Sequence, residues 1–184
     1  MNVDLSDSRA LAVTRVVVEL EQHVSAAGWD APIRVFALVR TAGALERDTT
    51  LAQRLPAEVV AAASADPEHL TAVEQEGLPE AESLHDLLGR LAWPDSVDGA
   101  AVVVERSVIP PEVESQMPAD ENEALTWLQA HPQRRDVRLA AATLRTGQHA
   151  CALRARTHDA DNQVAVGPEL APGLVAAVAA TLED

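Results

Sequence analysis

Residues 136–157 read DVRLAAATLRTGQHACALRART, and the way this stretch folds decides the reading of everything around it. Two alternating runs flank Thr146, Gly147 and Gln148, where the glycine supplies the positive φ that closes a tight hairpin. Side-chain chemistry then selects the register. A three-residue turn over 146–148 places Val137, Leu139, Ala141, Thr143, Cys151, Leu153 and Ala155 on one face, with Arg138, Arg154 and Arg156 on the other. A two-residue turn would set Leu139 beside Arg154 and bury neither cleanly. Because a slip of one residue flips every side chain, the three-residue turn is the expectation. It predicts an apolar inner face, an outer face carrying the arginines, and Arg138 across from Arg156.

Upstream of the hairpin, a first helix is expected from about Ser6 or Asp7 to Gly28, with an apolar stripe of Ala10, Val13, Val17, Leu20, Val24 and Ala27. Arg15, Glu19 and Gln22 face away from that stripe. Residues 33–40, IRVFALVR, form a near-continuous apolar run that reads as a central strand buried on both faces. Short helices follow over 41–55 and 56–65, then an edge strand over 70–76. Ser83 with Asp86 caps a helix bearing Leu84, Leu87, Leu88 and Leu91, and Pro94 ends it. Residues 99–109, GAAVVVERSVI, give the strongest strand signal, and Asp120 with Glu123 opens a helix carrying Leu125 and Leu128.

Downstream, a short strand is possible over 163–166, and Pro172 suits the first turn of a last helix carrying Leu174, Val175, Val178 and Leu182. The sum is one α+β domain over 1–184: a mixed or mainly antiparallel sheet of about five strands, with helices packed on it and the hairpin and last helix at its C-terminal end.

Composition excludes several functional classes. The formal charge is −15 and every one of the 14 basic residues is arginine. Such a field repels nucleic acid and anionic headgroups, so neither partner is expected. The single cysteine, Cys151, excludes an intrachain disulfide. The start, MNVDLSDS, lacks the basic and apolar regions of a secretory leader, so a cytoplasmic location is expected. The eight glycines never approach the spacing of a phosphate-cradling loop, and neither Gly-x-Ser-x-Gly nor His-Glu-x-x-His occurs. No cofactor is expected.

The blocks LTAVEQEGLP (70–79), LAWPDSVDGAAVVVERSVIPP (91–111) and HPQRRDVRLAAATLRTGQHACALR (131–154) resemble a family of small, acidic, Ala- and Arg-rich actinobacterial proteins. That resemblance spans nearly the whole chain. It implies a cytosolic protein and brings no catalytic residues.

Three groups of side chains invite chemistry. Arg134, Arg135, Arg138, Arg154 and Arg156 gather along the hairpin and its entrance, and guanidiniums hold carboxylate or phosphate in bidentate fashion. The cluster is either an anion site or a solvated face paired with acids such as Glu105. His149 and Cys151 share a strand face and, with His158, form a candidate metal or nucleophile set; the alternative is a buried thiol beside an imidazole at the loop. Glu74 and Glu76 share an edge strand, as a carboxylate pair or as solvated acids. Asp159 and Asp161 lack the glycine and distal glutamate of a calcium loop. Trp29, Trp93 and Trp127 each sit near a helix terminus, where a large ring seals a core boundary, and a Trp left exposed would mark an interface. The functional expectation is a non-catalytic interaction or accessory module, partnered by another protein or by a homodimer through a helix face or strand edge. The alternative is an anionic-metabolite binding protein or enzyme using the arginines.

Overall fold

The structure, a computed structural model, describes residues 5–183, so the first four residues of the N-terminal MNVDLSDS segment read above lie outside the described residues. Its centre is a six-stranded antiparallel sheet in the order β2-β1-β3-β4-β5-β6. The strands are β1 (Arg34–Arg40), β2 (Leu70–Glu74), β3 (Gly99–Val108), β4 (Arg135–Leu144), β5 (His149–Ala155) and β6 (Ala165–Gly167). The fold is α+β, with six strands where about five were expected, the sixth being the short strand near 163–166. β1 is buried as predicted but lies second from an edge; β3 and β4 hold the middle.

The helices are α1 (Leu5–Ser25), α2 (Thr41–Arg47), α3 (Ala57–Ala65), α4 (Leu84–Gly89), α5 (Pro111–Glu114), α6 (Glu121–Ala130) and α7 (Pro172–Ala180). Both expected N-caps are made: Ser83 Oγ accepts from the Asp86 N–H at 3.1 Å, and Asp120 Oδ1 from the Glu123 N–H at 3.0 Å. α1 ends three residues short of Gly28, and its buried stripe runs through Ala12, Val13, Val16, Val17, Leu20, Glu21 and Val24. Ala10 and Ala27, expected on that stripe, are exposed.

Helices cover both faces of the sheet. α1 packs on Phe36, Leu38, Ala101, Val103, Ala140, Ala142, Ala150 and Ala152, and the run of alanines lets its backbone come close. On the opposite face, α4 and α7 bring Leu87, Leu88, Leu174, Val175 and Val178 against Val35, Val102, Leu139, Ala141 and Cys151. Gly99, where β3 begins, is pressed against β4: a Cβ there would lie 2.5 Å from the Thr143 carbonyl oxygen.

The hairpin divides its side chains between faces as predicted, with two corrections. The turn is Arg145–Gly147, closed by Leu144 N–H to Gln148 O at 2.8 Å and Gly147 N–H to Leu144 O at 2.9 Å, with Gly147 at φ 95°. Arg138 therefore stands across from Arg154, and Arg156 lies past the strand in a 3₁₀ turn, Arg156–His158. Second, the arginine face does not meet solvent: α1 lies over it, and Arg138 and Arg154 are 0% and 2% exposed.

β3 and β4 are joined by an arm that holds α5 and α6. Every residue from Glu105 to Asp136 is at least partly exposed. α6 was expected to bury Leu125 and Leu128; Leu128 is half-buried and Leu125 is 53% exposed. No described helix is long and apolar enough to cross a membrane.

Candidate functional site

Burying a guanidinium strips its hydration, and burying two opposite one another adds repulsion, so Arg138 and Arg154 require a countercharge. α1 supplies it. Glu21 lies four residues after Val17 and three before Val24, in phase with the apolar stripe, and is fully buried between the two arginines. Arg154 Nε donates to Glu21 Oε1 at 2.6 Å and Arg154 Nη2 to Glu21 Oε2 at 2.8 Å, a bidentate pair. Arg138 Nη1 stands 3.5 Å from the same Oε1.

Further carboxylates complete the shell. Arg154 also donates to Asp159 Oδ1 at 3.2 Å and Asp161 Oδ1 at 2.7 Å, both presented by the segment after β5. Arg138 Nη2 donates to Glu105 Oε1 at 3.2 Å and to the Gly28 carbonyl, and the Trp29 ring centroid lies 4.4 Å from its guanidinium carbon. Trp29 Nε1–H donates to Asp159 Oδ2 at 2.9 Å, and the Asp30 N–H to Glu105 Oε2 at 2.7 Å. Arg156 closes the array on Asp30 through two 2.9 Å bonds. Asp30 holds φ 65°, a left-handed conformation that an Asp tolerates better than most residues.

The electrostatics follow from these bonds. The Arg154 guanidinium is held still more firmly protonated by Glu21. The indole N–H of Trp29, with Arg154 behind it, lowers the Asp159 carboxyl below its usual range, and Arg156 does the same to Asp30. Five carboxylates, Glu21, Asp30, Glu105, Asp159 and Asp161, surround three guanidiniums, so the array is net acidic and the charge of its arginines is balanced from within, while Arg138 Nε and Nη1 are buried with no hydrogen-bond partner.

Of the five arginines singled out in the sequence, the structure gathers Arg138, Arg154 and Arg156. Arg134 lies apart, clasped by Asp136 through two 3.0 Å bonds, and Arg135 is exposed where β4 begins. The sequence reading missed Glu21 and Asp30. A carboxylate in phase with a helix's buried stripe was the available signal for the first; nothing local marks the second.

His149 and Cys151 do share a face, but Cys151 is buried and its thiol pKa is pushed up by desolvation, which disfavours the thiolate. His149 Nδ1 sits 3.1 Å from the Gly147 carbonyl, and His158 meets Thr157 Oγ1. No grouping of three or more His, Cys, Asp or Glu among the described residues is placed to hold a metal ion. Glu74 is taken by Arg34 through two 2.6 Å bonds, and Glu76 falls beyond β2, so the two do not act as a pair.

An antiparallel sheet sandwiched between helices, with ionic groups neutralised internally, defines a class of small α+β protein rather than a reaction. A family model describes the PPA1309-like proteins, matches residues 13–183, and shows that the chain belongs to that family. No curated protein and no solved structure matches it.

Proposed function

We propose that this protein is a non-catalytic cytosolic interaction module that acts by pairing with a second copy of itself through the arm between β3 and β4. The observation that carries this reading is the arm itself: no residue from Glu105 to Asp136 is buried, yet α6 is capped and presents Leu125 to solvent. A helix of ten residues is marginal without packing on one side. Trp127 meets His131 in a tilted contact, with ring centroids 4.6 Å apart, and the helix touches β3 with Ala124, Trp127 and Leu128 partly buried, which leaves the Leu125 side uncovered.

The occupant follows from charge order. A protein of net charge −15 repels its copy unless opposite charges are brought into register. Along α6, Asp120, Glu121 and Glu123 lie at the start, while His131 and the exposed Arg135 follow the end. Two copies of α6 laid antiparallel about a two-fold axis at Leu125 set each acidic end beside the other's basic end and bury Leu125 on Leu125. Contact through one short helix is small, so the pairing is weak and screened by salt.

Sedimentation velocity from low to high micromolar concentration tests the reading. The expected result is a concentration-dependent dimer that weakens in high salt and is abolished by Leu125→Glu, a change at an exposed site that leaves the melting temperature unchanged. A monomer throughout, or a dimer indifferent to Leu125→Glu, overturns it.

A further inference from the structure

Arg145 differs from the arginines of the cluster in what neutralises it. It is the first residue of the hairpin turn, and its guanidinium reaches back to the C-terminal end of α7. Nε donates to the Val97 carbonyl at 2.9 Å, Nη2 to the Trp93 carbonyl at 3.1 Å, and Nη1 to the Leu182 carbonyl. All three acceptors are neutral backbone oxygens, and no described carboxylate pairs with Arg145. A guanidinium carries five N–H groups, so one remains uncommitted on each terminal nitrogen. The cation is held in place by backbone carbonyls and is itself exposed, so its remaining N–H groups are open to solvent, and a small groove that it borders carries Glu68, Asp95 and Asp98.

It also stands where ligands fit. Arg145 lines a groove of about 650 Å³ between α4 and α7, walled by Leu88, Leu91, Trp93 and Ala177 with His85 at its rim. This volume lies within the range of small-molecule sites. Trp93 offers only its ring to that space, because its Nε1–H is committed to Thr181 Oγ1 at 2.9 Å. On the other side of Arg145, Thr143 and His149 help to line a second groove of about 580 Å³, and Leu182 and Glu183 border both. Glu183 is the one acidic residue among the described linings of the two grooves.

We infer that the groove between α4 and α7 binds a small organic anion with an apolar body, its carboxylate or phosphate head received by the two uncommitted N–H groups of Arg145 and its tail laid along Leu88, Leu91 and Trp93. A cation whose position is fixed before binding loses little freedom on capture, and a charge-assisted bond at an apolar wall separates an anion from its neutral analogue. The site is remote from the Glu21 cluster and does not depend on pairing through α6.

Titration calorimetry with octanoate, octyl phosphate and the neutral octanol tests the inference. The expected result is binding of at least one of the two anions, about tenfold or more tighter than octanol, since a hydrogen bond to a charged group contributes roughly that factor. Which anion binds more tightly distinguishes a carboxylate from a phosphate ligand. Arg145→Gln is expected to erase the preference over octanol. Because that change also removes three bonds to backbone carbonyls, Ala177→Phe provides a second arm: it fills the groove without touching Arg145 and is expected to abolish binding in a protein that still unfolds cooperatively. Equal binding of octanol and the anions, no binding of either anion at millimolar concentration, or anion binding that persists in folded Ala177→Phe overturns the inference.

Discussion

Glu21 is the residue on which the α1 face depends. Its two oxygens are shared by Arg154 at 2.6 and 2.8 Å and by Arg138 at 3.5 Å, with all three side chains at or near zero exposure. Removing one partner of a buried ionic group leaves the others charged and unsolvated, which costs about 3–5 kcal/mol. Glu21→Gln is therefore expected to lower the free energy of unfolding by that amount in urea titration, and a loss below about 1 kcal/mol would mean that solvent reaches the pair. At this scale the sequence was partly legible. The arginines stood out as a cluster, and Glu105 as an acid that could answer them. Their burial was not visible, because it depends on α1 lying over a hairpin more than a hundred residues away. The phase of Glu21 between Val17 and Val24 is the local sign of that burial.

At the scale of elements, short-range chemistry carried well. Capping by Ser83 and Asp120, the apolar runs of β1 and β3, and Pro172 at the start of α7 all formed as read. The hairpin register did not, and the reason is geometric. Side chains alternate with a period of two, so moving the pairing by two residues leaves both faces unchanged. Polarity alone cannot separate Arg138 opposite Arg156 from Arg138 opposite Arg154; the backbone bonds of the turn decide it. The arm between β3 and β4 carries a prediction of its own. A glutamate-specific protease is expected to cut first between Glu112 and Glu123, where the backbone is held by exposed short helices. The two fragments should stay together, because ten residue pairs still join β3 to β4. A first cut outside the arm, or fragments that separate without denaturant, would show that the arm is tied down more firmly than its exposure indicates.

For the molecule as a whole, the α+β class followed from strands and helices alternating irregularly around one tight hairpin. The helical cover on both faces did not, because the alternating hairpin faces, apolar against arginine, argued for one solvated side. The acidic composition has a consequence for stability. Asp159 and Asp30 hold carboxyl pKa values below the ordinary range, through Trp29 and Arg156 respectively. For a group whose folded pKa is depressed, the stabilisation is present above the unfolded value of about 4 and disappears as pH falls through the folded value. Asp159→Asn is thus expected to be less stable than the parent at neutral pH, and the difference should shrink below about pH 4 as the parent's own Asp159 takes up a proton. Urea midpoints for both proteins across that range measure it; a difference that stays constant into strong acid would detach Asp159 from the cluster.

The buried clamp also constrains the order of events during synthesis. Glu21 is translated before the guanidiniums that neutralise it, which are made 117 and 133 residues later. Until both have been translated, seating α1 on the nascent sheet would bury an unanswered carboxylate, so this helix, though made before the sheet it covers, is among the last to lock, and a chain halted before Arg154 retains an undocked amphipathic segment.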